Sequence, residues 1–210
     1  GVQTCALPIY VSSSTADDDQ PAWSPDGAKI AFSSRRGGTR DVYTALATGS
    51  GVIAATKGAH VLGAPAWSPE GAVAFGLLEG GGPGKVKSTI AVVAPSGGTP
   101  RTLVAASDPA ITAEEEPDLS DPVFSPDGGY LLLSGHRSGS NASTTVSTSR
   151  VFVAKADGTE VRALISGQAS CARFTDDGRQ VLAKVERSGP KGDAIYAFPV
   201  SGGEGEKKSG

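Results

Sequence analysis

The chain has no methionine, not even at position 1, so it reads as processed or as a piece of a longer frame. It has two cysteines, Cys5 and Cys171, and two histidines, His60 and His136, too few for a disulfide framework or a cysteine–histidine metal site. A basic excess is also missing: the net charge is -3, which argues against nucleic acid as a partner. Long apolar runs are absent. The longest, such as Ile90–Ala94, have strand length, so no membrane span is expected. Aromatics make up only 6% of residues. What is abundant is glycine, with 29 residues among 210, and this points to many tight turns in one globular domain.

The N-terminal stretch stands apart. Val2-Gln3-Thr4-Cys5-Ala6-Leu7-Pro8-Ile9 is what the codons GTT CAG ACG TGT GCT CTT CCG ATC encode, and that string resembles a sequencing-library adapter. Residues 1–9 are therefore expected to be non-native and are left out of fold reasoning. Cys5 goes with them, so no Cys5–Cys171 pairing is invoked and the redox compartment is unreadable. Residues 204–210 lack an apolar anchor and read as a disordered or truncated tail.

Between these ends the sequence repeats. Pro21-Ala22-Trp23-Ser24-Pro25-Asp26-Gly27 recurs as Pro65-Ala66-Trp67-Ser68-Pro69-Glu70-Gly71 and as Pro122-Val123-Phe124-Ser125-Pro126-Asp127-Gly128. A fourth copy reads Ala172-Arg173-Phe174-Thr175-Asp176-Asp177-Gly178. The final glycines lie 44, 57 and 50 residues apart, the period of propeller blades or helical arrays. Apolar residues alternate with period two and Gly or Pro interrupts about every ten residues, which rules out helices. The reading is an all-β propeller of about four four-stranded blades, near 17–60, 61–107, 117–168 and 169–203. It is an open part of a six- to eight-bladed ring. Second strands are placed at Lys29–Ser33, Ala72–Leu77, Tyr130–Ser134 and Gln180–Val185; the fourth blade lacks an outer strand. Ser-Pro-Asp-Gly is turn chemistry: Pro presets φ, Asp bonds the local backbone, and Gly takes positive φ. Trp23, Trp67, Phe124 and Phe174 are expected to point inward between blades. Pro25, Asp26, Gly27, Pro69, Gly71, Pro126, Asp127, Gly128, Asp177 and Gly178 are structural by recurrence. Both end blades should leave an apolar face wet, which predicts an aggregation-prone domain.

The Pro-Ala-Trp-Ser-Pro-Asp-Gly core, followed by Lys-Ile-Ala-Phe-Ser-Ser and Asp-Val-Tyr, resembles the Pro-Asp variety of WD-like repeat. That repeat builds the propeller of TolB-type periplasmic proteins and the N-terminal propeller of some prolyl oligopeptidase-family peptidases. The resemblance spans Asp17 to about Gly203 and implies a blade, not an activity. It implies a periplasmic or secreted protein. Two functions follow from it: a non-catalytic binding module, or the propeller of a serine peptidase whose hydrolase domain lies beyond Gly210.

Strand direction alternates within a blade, so second-to-third-strand loops and blade-to-blade links open on one face. All the long loops fall there: 35–40, 78–87, 107–120, 137–149 and 187–192. Loop variation on one face of a repeat protein marks a binding face. Its charged residues are the candidate binding set: Asp17, Asp18, Asp19, Glu114, Glu115 and Glu116 in the acidic links, Arg35, Arg36, Arg40 and Arg137 in the basic loops, with His60 and His136 nearby. An unidentified protein or peptide is the expected partner, alongside further blades or a domain in the parent. No catalytic residue, metal site or cofactor is expected. There is no G-x-S-x-G elbow, HExxH pair, Walker loop or dinucleotide fingerprint, and Asp17-x-Asp19 lacks the Gly and terminal Glu of a calcium loop.

Overall fold

The computed structural model describes residues 14–81, 85–113, 117–140, 145–164, 167–186, 193–202 and 206–207. They form four antiparallel four-stranded sheets, each strand paired with its neighbour in sequence. The first blade is β1 (Asp18–Trp23), β2 (Lys29–Ser34), β3 (Asp41–Leu46) and β4 (Ile53–Ala54); the second is β5 (Val61–Trp67), β6 (Val73–Gly81), β7 (Lys85–Val93) and β8 (Arg101–Val104). The third is β9 (Asp118–Phe124), β10 (Tyr130–Ser140), β11 (Thr145–Lys155) and β12 (Arg162–Ala163); the fourth is β13 (Ala169–Phe174), β14 (Gln180–Val185), β15 (Ala194–Pro199) and β16 (Glu206–Lys207). The only helix among the described residues is one turn, α1 (Pro109–Thr112), in the link between the second and third blades. The sheets do not close on one another, so the molecule is an open arc of a β-propeller.

The repeated turn folds as its residues dictate. The Ser24 hydroxyl donates to Asp26 Oδ1 at 2.6 Å, and the Ala28 N–H donates to the same oxygen at 3.0 Å. Ser125 with Asp127 and Thr175 with Asp177 repeat both bonds. Thr175-Asp176 in place of Ser-Pro therefore leaves the fourth turn intact. The second turn differs: Ser68 still accepts from the Ala72 N–H at 3.1 Å, but Glu70 makes no equivalent bond, being one methylene too long.

Packing runs between blades. Ala31, Val42, Trp67, Val73, Phe75 and Ala91 join the first blade to the second. Ile90, Val104, Leu131, Leu133 and Phe152 join the second to the third, and Leu132, Val151, Val153, Val181, Tyr196 and Phe198 join the third to the fourth. Each first-strand aromatic thus faces the preceding blade. Trp67 is 8% exposed and its indole N–H donates to the Ala22 carbonyl at 3.0 Å.

That geometry corrects several expectations. Trp23 does not belong to a buried layer; it is 64% exposed, because among the described residues no blade packs on that side of the first. Phe124 and Phe174 are only half-buried. Segments read as the loops 78–87 and 137–149 are largely strand, extending the β6–β7 and β10–β11 hairpins. The tail supplies the missing outer strand: Glu206 pairs with Ala197 and Lys207 with Tyr196, so β15 is not an edge. The first apolar face is covered in part, Trp23 staying exposed on it. Arg36 lies over the Phe32 and Tyr43 rings, 5.3 Å and 4.8 Å from their centroids, and these aromatics are buried beneath it.

Candidate binding face

Every first strand carries a bulge in its pairing with the second, and at each bulge one residue is left-handed: Gln20 (φ 53°), Gly63 (φ 65°), Asp121 (φ 50°) and Cys171 (φ 54°). The bulges turn the first strands around a cavity of about 590 Å³ lined by all four of them. His136 and Arg150, from the β10–β11 hairpin, reach its wall. Asp121 fastens two blades there. Its Oδ1 accepts the Ala64 N–H at 2.7 Å, and its Oδ2 accepts the Ser120 hydroxyl at 2.7 Å. Gly63 is the reciprocal requirement, since a Cβ there would lie 2.5 Å from Asp121 Oδ1 and 2.8 Å from its backbone nitrogen. Sequence reasoning missed this ring of bulges. The sequence carries no clear signal for it, since a residue ahead of proline, as Gln20 and Asp121 are, is ordinarily pushed to extended rather than left-handed backbone.

The candidate charges sort into pairs. Arg36 Nη2 donates to both oxygens of Asp18, at 3.1 and 2.9 Å, and its Nε–H donates to the Ser34 hydroxyl oxygen at 3.0 Å. Arg40 bonds Asp19 at 2.8 Å and also Gln20. The acidic link and the basic hairpin of the first blade thus neutralise each other. Asp17 and Arg35 meet only through backbone, the Arg35 N–H donating to the Asp17 carbonyl at 3.3 Å, and both side chains are exposed. His60 is exposed at φ 49° and does not line the cavity. His136 faces Asp118 and Ser149 across the ladder, with the Ser149 hydroxyl 3.3 Å from Nδ1. Arg137 is exposed on the same hairpin. Glu114, Glu115 and Glu116 lie outside the described residues, as do 141–144 and 187–192.

A further carboxylate, Asp41 of the Asp-Val-Tyr segment, was given no role in the sequence. It is 2% exposed and accepts four hydrogen bonds: from the Thr56 hydroxyl (2.7 Å) and Ala59 N–H (2.9 Å) on Oδ1, and from the Thr39 hydroxyl (2.5 Å) and Gly58 N–H (3.0 Å) on Oδ2. Burial raises its pKa, but the bonds from Thr39, Ala59, Thr56 and Gly58 outweigh that and hold it below the ordinary aspartate value. Asp41 therefore pins the link between the first two blades. Among the described residues no group of three or more His, Cys, Asp or Glu side chains could hold a metal, and Cys171 is a free, exposed thiol. No described helix is long and apolar enough to cross a membrane.

The fold defines a β-propeller, and its likenesses are to known members of that class. TolB from Acinetobacter baumannii superposes with a TM-score of 0.64 at 22% identity, over 94% of this chain and 44% of that one. A putative TolB from Agrobacterium tumefaciens gives 0.65 at 21% identity, over 94% and 63%. A puromycin-hydrolyzing peptidase of Mycobacterium tuberculosis gives 0.60 at 18% identity, over 89% and 30%. The chain thus spans less than two thirds of each of these structures. No family model and no curated protein matches it. At these identities the likeness fixes the propeller fold, shared by TolB and by peptidase propellers.

Proposed function

We propose that the chain is a non-catalytic binding module of TolB type, which takes a protein or peptide partner on the face where its long hairpins project. The observation that supports this most is the length of the hairpins β6–β7 and β10–β11, whose strands run 9 and 11 residues against 6 in the first and fourth blades, with His136 and Arg150 of β10–β11 lining the cavity. Extended hairpins there offer a partner polar edges, while the Arg36–Asp18 and Arg40–Asp19 pairs keep the first blade's charges satisfied without it. The TolB likeness supports export to the periplasm or beyond, and a parent with further blades.

A photo-crosslinking residue at Arg137, on the hairpin face, tests this against one at Asp157, on the short-turn face. In the source cell, adducts with one defined protein from the Arg137 position and none from Asp157 are expected. Adducts from Asp157 alone would refute the assignment. The peptidase likeness favours a second reading, a propeller attached to a serine hydrolase. The coding sequence after Gly210 separates the two: G-x-S-x-G followed by Asp and His supports the peptidase, and further blades followed by a stop codon support the binder.

A further inference from the structure

The blades meet where the first-strand aromatic of one seats on the blade before it. Trp67 rests on the first blade where Ala22 and Ala31 pair across β1 and β2, two small residues beneath a large ring. At the last junction the relation inverts. Phe174, a smaller ring, packs on the cluster containing Leu132 and Val123, the larger pair at the same register positions of β9 and β10. Ring size does not follow the pair at every junction, since the second blade offers Phe124 the small pair Ala66 and Ala74 at this register; what distinguishes Trp67 is its small Ala22–Ala31 seat together with its N–H bond to the Ala22 carbonyl.

Trp23 occupies the position of Trp67 in an identical Pro-Ala-Trp-Ser-Pro motif, cross-strand from Ile30 on the side turned away from the second blade. It is 64% exposed. Arg36 covers Phe32 and Tyr43 on that side, and Trp23 remains uncovered. The far end of the arc presents Arg173 opposite Leu182 at the register of Ala22 and Ala31, and Ile195 beside them is 46% exposed. An Arg–Leu pair leaves no room for an indole.

We propose that Trp23 is the docking anchor for a further blade of this same repeat, one carrying two small side chains at the register of Ala22 and Ala31 and a backbone carbonyl aimed at the indole N–H. The end face of a second copy, with Arg173 and Leu182, does not fit that anchor, so copies of the chain do not join head to tail. This holds whatever partner the hairpin face takes. The occupant is named by continuity with the interface already formed between the first and second blades, which uses the same residues in the same register.

The test places a known blade on Trp23. Residues 14–60 are duplicated directly ahead of Asp17, with W23F in the added copy and W67F in the body, so that Trp23 is the sole tryptophan. Acrylamide quenching then reports its cover. The added blade should lower the quenching constant several-fold relative to the W67F chain alone, towards that of Trp67 in a W23F chain. An added blade carrying Ala22→Arg and Ala31→Leu should leave quenching at the uncovered value. The W67F chain alone should show no concentration-dependent protection and should sediment as a monomer. An added blade that stays unfolded or leaves Trp23 quenched overturns the proposal. So does equal protection by the Arg–Leu blade, or protection of the unfused chain that grows with concentration.

Discussion

Replacing Asp41 by asparagine should destabilise the chain by about 2–3 kcal/mol. The carboxylate accepts four bonds from a buried position, two on each oxygen. An asparagine keeps one oxygen and turns an NH₂ group towards one backbone N–H and one threonine hydroxyl; the hydroxyl can rotate to accept, but the N–H loses its acceptor and faces a donor, and the bonds that remain lose their charged acceptor. Hydrogen bonds to a charged acceptor contribute roughly 1.5–3 kcal/mol each, and losses at one group are not additive, which brackets the sum near 2–3 kcal/mol. The damage spreads, because the Thr56 hydroxyl that donates to Asp41 also accepts the Val42 N–H at 2.9 Å. The pH dependence has a definite sign. The folded pKa of Asp41 is depressed, so its contribution is fully present above the unfolded value, about 3.9, and is lost as pH falls through the lower folded value. Urea melts from pH 7 to pH 3 should show the wild type and Asp41→Asn far apart at neutral pH and converging in acid. Midpoints within about 0.5 kcal/mol of each other at pH 7 would refute the claim that Asp41 pins the first inter-blade link.

Three further substitutions test the packing and the turns. Trp67→Ala removes a buried ring and its N–H bond and should lower stability by about 3–5 kcal/mol, while Trp23→Ala should stay within about 0.5 kcal/mol; urea midpoints compare them. Glu70→Asp should raise the midpoint by about 0.5–1 kcal/mol, by restoring the bonds to Ser68 and the backbone that the other three turns make. Gly63→Ala forces a side chain into left-handed backbone and against Asp121; it should lower the thermal midpoint by the equivalent of about 1–3 kcal/mol and be partly relieved by Asp121→Ala.

The blade was legible because its turn chemistry is local. Ser24, Asp26 and Gly27 bond within five residues, so their spacing alone declares the hairpin. The period-two runs around Lys29–Ser34 and Gln180–Val185 placed the second strands within a residue of their observed bounds. What sequence could not give was the neighbour of each face. Trp23 and Trp67 have the same local sequence and opposite burial, because burial here depends on a residue in another blade. The bond from Ala64 to Asp121 joins positions 57 residues apart, and Asp41 meets Ala59 across a whole strand pair, so neither leaves a local pattern. The candidate charges were found, but their pairing was not: Arg36 and Asp18 are 18 residues apart and meet only once β1 and β2 are in register.

From the second blade on, each first-strand aromatic faces the blade before it, and Trp23 of the first blade is left exposed. Single-tryptophan chains measure that most directly. With Trp67→Phe, the remaining Trp23 should emit at the red end of the tryptophan range and be strongly quenched by acrylamide. With Trp23→Phe, the remaining Trp67 should emit further to the blue and be protected. Equal emission maxima and equal quenching would contradict the blade order and the packing built on it.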